Sequence, residues 1–228
     1  MLSQAALEIV NGIRSGDAIG GPSKMATIVA KSIAQHHQIV PEDLIRRYND
    51  WWSADAFDTG PTFALVFGNL KRGMDHAAAV HKAHKDLGGQ SSGCAPAQRI
   101  GSLAACDAIP NARLSEQARL EASLTHFDPD AGAASAVVAI VTRLLMRGCD
   151  QEEVDAYMEQ HEREAWSLVA QTAIGNGGTG YEAVHLAWHC LWSEQPSMQL
   201  CERISSANNY AGPILGAFLA SQRLKEMA

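Results

Sequence analysis

Three short stretches hold most of the side chains in this chain that could do acid–base or electrostatic chemistry. The first is Thr125-His126-Phe127-Asp128-Pro129-Asp130, an imidazole and two further carboxylates ahead of a long run of small residues. The others are Gly16-Asp17-Ala18-Ile19-Gly20-Gly21-Pro22 and Asp58-Thr59-Gly60-Pro61. A carboxylate held rigidly can serve as general acid, general base or stabiliser of a developing positive charge. Each aspartate also stands near a helix entry, where Asp accepts from first-turn amides and Pro suits the first helical position. Capping therefore accounts for Asp17, Asp58 and Asp128 as well as catalysis does. In the same way, His126 could bond a backbone carbonyl and Arg99 could form a structural ion pair.

Other patterns carry less. Gly175 to Gly180 matches GxGxxG in letters, but a helical segment precedes it, where a dinucleotide site needs a strand. A helix C-cap and turn suits it better. His185 and His189 stand four apart and His81 and His84 three apart, spacings that could put imidazoles on one face for a metal. Neither pair has the glutamate of HExxH, and surface or core histidines explain them more simply. No GxSxG elbow marks a nucleophilic serine, and Cys94 in its glycine-rich loop has no local base.

Such loops need rigid elements to hold them, and the chain supplies helices. Leu2 to Ile13 puts Ala6, Ile9, Val10 and Ile13 on one face. Helical patterns follow from Ser23, Pro41, Thr62, Met74, Gln98, Ser115 and Gly132, and Gln151 to Ile174 reads as one long helix. Tyr181 to Trp192, Ser197 to Ser206 and Ala211 to Lys225 close the chain. No strand alternation and no internal repeat is visible. The 228 residues suit one domain over residues 1–228, and their net charge of −7 argues against a nucleic-acid surface. Five cysteines without a CxxC pair suit a reducing compartment, so a cytoplasmic location is expected. No signal peptide is visible, and the longest apolar run is too short to span a bilayer.

Taken in order, the polar loops resemble the ADP-ribosylglycohydrolase family, which includes dinitrogenase-reductase activating glycohydrolases and jellyfish crystallins. Gly16 to Pro22 is similar to its GDAxGxP signature, and Gly93-Cys94-Ala95-Pro96-Ala97-Gln98-Arg99 to its GNGxAMR segment. Thr125 to Ser135 resembles its H-x-D-P-x-A loop, and Ile214 to Ala220 its closing helix. The resemblance implies an all-α, orthogonal helical bundle with the loops at one end. It also implies two magnesium ions, held by a TDD triplet, a GDTDT loop and a glutamate. Here those positions fall on Ala56-Phe57-Asp58, Ser206-Ala207-Asn208-Asn209-Tyr210 and Lys24, so Asp58 is the one carboxylate left as a metal ligand.

The resulting expectation is a hydrolase of an ADP-ribosyl or related ribosyl bond with an altered metal site and no assured cofactor. Asp17, Asp58 and Asp128 are its candidate catalytic groups. Ser91, Ser92, Gly93, Arg99, His126, Asp130, Lys24, Asn208 and Asn209 are its candidate substrate contacts. A small-molecule or ADP-ribosylated substrate is the expected partner, with neither nucleic acid nor membrane. A catalytically inactive binding or structural relative is the alternative, as is a different hydrolase or lyase chemistry in the same pocket.

Overall fold

The computed structural model describes residues 1–174, 178–193, 195–197, 199–200 and 210–226, and among them there are 12 α-helices and no strand. They are α1 (Gln4–Ser15), α2 (Gly21–His36), α3 (Pro41–Asp55), α4 (Gly60–Lys71), α5 (His76–Asp86), α6 (Ala95–Arg99), α7 (Asn111–Ser123), α8 (Pro129–Met146), α9 (Gln151–His161), α10 (Arg163–Gln171), α11 (Gly180–Leu191) and α12 (Gly212–Glu226).

α8 is the axis of the molecule. Every residue from Ala131 to Leu145 is buried, and α6, α7, α9, α10, α11 and α12 all pack on it. Its alanines let the neighbouring backbones come close, and Asp128 caps its start by accepting the Asp130 N–H at 3.0 Å. By length and composition α8 passes for a membrane span, but 83% of it is buried inside the protein. Its burial on all sides is that of a core helix.

α1 and α12 make the closest helix pair. Gly12 and Gly16 face Gly212 and Gly216, four residues apart on each helix. A Cβ on Gly12 would lie 2.3 Å from the Gly216 carbonyl oxygen, and one on Gly16 would lie 2.0 Å from that of Gly212. The two backbones touch because no side chain stands between them.

At the other side, α3 and α4 meet through aromatic rings. Phe63 stacks on Phe67 at 4.3 Å between centroids and meets Tyr48 edge-on at 5.4 Å. Arg143 of α8 donates to the carbonyls of Ala104, Cys106 and Ile109, tying that stretch of chain to the central helix.

Three details differ from the sequence reading. Gln151 to Ile174 is two helices, broken at Glu162 (φ −138°, ψ 36°), whose carboxylate receives Arg119 at 2.9 Å. With neither Gly nor Pro nearby, the break has no local sequence mark. The helix expected over Gln98 to Ala108 starts earlier, because Pro96 opens α6, and then tightens into a 3₁₀ turn at Gly101–Ala105. Asp58 does not cap α4, which follows it. Thr59 takes the N-cap position of α4, and Asp58 reaches across to α2. The segment expected as a helix over Ser197 to Ser206 lies mostly outside the described residues.

Candidate functional site

The entry loops of α2, α4, α6, α11 and α12, with the loop before α8, surround one cleft of about 710 Å³. Asp17, Ile19 and Pro22 come from the first loop; Asp58, Thr59 and Gly60 from the second. Ser92, Gly93, Cys94 and Gln98 come from the third, His126 precedes α8, and Thr179, Tyr210 and Pro213 complete the wall. Among the described residues no Lys or Arg lines it. Its charged lining residues are Asp17 and Asp58, and several helices open onto it with their amide ends.

The two acidic groups converge on the start of α2. Asp17 accepts the Gly20 N–H at 2.8 Å and the Ser23 N–H at 2.7 Å through its two oxygens. Asp58 accepts the Gly21 N–H at 3.2 Å through Oδ2. Its backbone is left-handed (φ 50°), a conformation Asp tolerates better than most residues, and Gly21 has no room for a Cβ against it. Partial burial, and after it the negative charge of Asp17, raises the Asp58 pKa against the lowering effect of Gly21 N–H. The two carboxylates thus differ: Asp17 has a backbone amide on each oxygen, while Oδ1 of Asp58 has no hydrogen-bond partner among the described residues.

The third loop is pinned from both sides. Gly93 pairs with Thr179 in an isolated antiparallel bridge, and Gly180 N–H donates to Ser92 O at 2.9 Å. A Cβ on Gly180 would lie 2.6 Å from that of Ala134, so only glycine lets α11 sit so close. Gln98 Nε2 donates to Tyr210 O at 2.8 Å, which fixes the approach to α12. Cys94 faces the cleft, but burial pushes its thiol pKa up to about 12. It is a neutral wall residue, not a nucleophile.

His126 is 4% exposed, and its Nδ1 lies 2.7 Å from Thr125 Oγ1, which in turn accepts from Arg99 at 2.8 Å. Arg99 is wholly buried, paired with Glu121 at 2.8 Å and placed over the Tyr48 ring at 5.3 Å. It lies behind the cleft, not on its lining. Ser91 is buried beside the cleft, accepting the Asp128 N–H at 3.2 Å and sharing a hydrogen bond with His84.

Asp128, Asp130 and Lys24 are likewise not on the lining. Asp128 is spent on its own helix, Asp130 meets the Tyr181 hydroxyl at 3.4 Å, and Lys24 is exposed. Asn208 and Asn209 lie outside the described residues, although Tyr210 next to them lines the cleft. Thr59, Gln98, Thr179 and Tyr210 are wall residues that sequence reasoning did not single out. Thr179 had a visible mark, the Thr-x-x-Glu capping box with Glu182. Among the described residues the histidine pairs gather no set of three metal-ligating side chains; His185 bonds Thr172 O at 2.6 Å, and His81 and His84 both lie against Phe127.

A dinuclear magnesium centre requires several oxygen donors free to coordinate. Among the described residues no group of three His, Cys, Asp or Glu side chains could hold an ion. Asp17 has both oxygens on backbone amides, and Ala56 and Phe57 bring no side-chain oxygen. The described residues do not fit such a centre.

An all-α bundle with its helix-entry loops gathered around one cleft defines a narrow class of proteins. A sequence profile of the ADP-ribosylglycohydrolase family matches residues 11–221, and the chain belongs to that family. A solved structure titled an ADP-ribosylglycohydrolase-related protein complex shares the fold with a TM-score of 0.70 at 16% identity. The match covers 96% of this chain and 87% of that one. No curated protein sequence matches the chain.

Proposed function

We propose that this cleft binds an ADP-ribosyl or related ribosyl group and that the chain hydrolyses its glycosidic bond without the family's paired metal ions. The observation that carries the reading is the gathering of Asp17, Asp58, Gly93 and His126, from four separated loops, on one cleft. Its volume lies within the range of small-ligand sites. Helix entries rather than Lys or Arg side chains would receive the pyrophosphate.

In this reading Asp58 is the working carboxyl group. Partial burial and the Asp17 charge favour its protonated form, and Oδ1, which has no hydrogen-bond partner among the described residues, would be the atom turned to a leaving group. Asp17 keeps negative charge near the carbon that becomes oxocarbenium-like, while holding the α2 entry in place. Asp128, weighted equally from the sequence, contributes through the α8 entry and so through the placement of His126.

The direct test, with chelator present, is release of free ADP-ribose from ADP-ribosylarginine and ADP-ribosylserine and of free ribose from a simple ribosyl glycoside. Turnover that falls by about two to four orders of magnitude in Asp58→Asn supports the assignment. Turnover unchanged in that variant would remove Asp58 from the mechanism. Binding of ADP-ribose without turnover of any of the three would favour the inactive binding relative, which the full engagement of Asp17 also suits.

A further inference from the structure

We propose that Arg99 and Thr125 are positioning residues that hold His126 as its neutral Nε2–H tautomer, so that the ring offers a hydrogen-bond donor to an acceptor oxygen of the ligand. That a ligand uses this donor rests on the ribosyl reading above; the tautomer itself rests on geometry.

Thr125 Oγ1 has one proton and three polar neighbours. The Arg99 guanidinium can only donate to it, at 2.8 Å. The proton then goes either to His126 Nδ1 at 2.7 Å or to Ala122 O at 3.4 Å. Ala122 O already accepts the Thr125 and His126 amides at 3.1 and 2.9 Å, and a third bond at that longer distance is weak. A hydroxyl polarised by a cation is also a better donor. The proton therefore belongs to Nδ1 as acceptor, and the ring's own proton sits on Nε2.

Nε2 has no hydrogen-bond partner among the described residues, and it faces Gly93 in the cleft wall. A Cβ on Gly93 would touch Nε2 at 3.4 Å, so glycine here keeps a methyl group off this nitrogen. The charged groups around the ring are Arg99 with Glu121 behind it, Asp128 next along the chain, and Asp17 and Asp58 on the same cleft lining. Burial first, and then the Arg99 charge, holds the imidazole pKa well below the ordinary histidine value. Both effects favour the neutral ring that the hydrogen bonds already assign.

Histidine tautomers can be read without any ligand, by long-range proton–nitrogen correlation spectra of protein carrying ¹⁵N-histidine. The His126 signal is assigned by its loss in His126→Gln. The expected result is a neutral Nε2–H pattern from about pH 5 to about pH 8, where an ordinary histidine would titrate. Thr125→Val should introduce an Nδ1–H fraction, and Thr125→Ser should restore the single pattern. An Nδ1–H pattern in the unmodified protein, or an imidazolium forming near the ordinary value of about 6.5, would overturn the proposal. That spectrum decides even if Thr125→Val does not fold. In an ADP-ribose titration, Thr125→Val should bind about tenfold more weakly, the worth of one hydrogen bond, with recovery in Thr125→Ser. Equal affinity in all three proteins would overturn the positioning role. Unmodified protein that shows the Nε2–H tautomer but binds no ADP-ribose would uphold the relay and count against the ribosyl reading.

Discussion

Asp58 combines three properties that pull on one another: a left-handed backbone, a bond to the start of α2, and a pKa raised by burial and by Asp17. The native state holds this proton more tightly than the unfolded chain, whose carboxyl titrates near about 3.9. The folded protein therefore loses stability as pH rises from that value through the raised native one. Asn at this position removes the charge, keeps an oxygen for Gly21 N–H and accepts the same backbone. Asp58→Asn should raise the melting temperature by about 1–3 °C at pH 7, a small gain because Asp58 is no more than partly buried. At about pH 3, below both pKa values, the gain should vanish. Melts at the two pH values check this, and an equal change at both would show that the native state holds the Asp58 proton no more tightly than the unfolded chain.

At the scale of elements, α1 and α12 show how small residues set distance. Gly12→Ala would drive a methyl group into the Gly216 carbonyl, with backbone on both sides and no flexible chain to give way. It should cost about 3 kcal/mol or more in urea denaturation, as overpacking does. Gly68, inside α4, has nothing within 4 Å of its would-be Cβ. Gly68→Ala should stabilise by about 0.5–1 kcal/mol through helix propensity. Similar effects from the two substitutions would mean that α1 and α12 are not in backbone contact. The spacings Gly12-x-x-x-Gly16 and Gly212-x-x-x-Gly216 are present in the sequence, but nothing in either segment says that the other faces it.

For the whole molecule, the cleft depends on loops far apart in sequence, and so does its metal chemistry. The described donors fall short of a dinuclear site, because no three His, Cys, Asp or Glu side chains gather among them. Calorimetric titration with magnesium should therefore show no saturable binding at micromolar concentrations. Two micromolar sites would mean that residues 201–209 complete a metal centre, and the mechanism would then run through it.

Local patterns determined much of this protein in advance. Apolar spacing marked most of the helices, Pro and Asp marked their entries, and the order of the polar loops marked the family. These are properties of a few consecutive residues, which is why one chain suffices to read them. Tertiary structure decided the rest. It turned Asp58 from its own helix to α2, buried Arg99 between Glu121 and Thr125, and split Gln151 to Ile174 at the point where Arg119 binds Glu162. It also separated Asp17, Asp58 and His126, which line the cleft, from Asp128, Asp130 and Lys24, which do not. All of these depend on contacts between residues distant in the chain. A carboxylate that caps a helix and one that faces a ligand look the same until the neighbouring helices are in place.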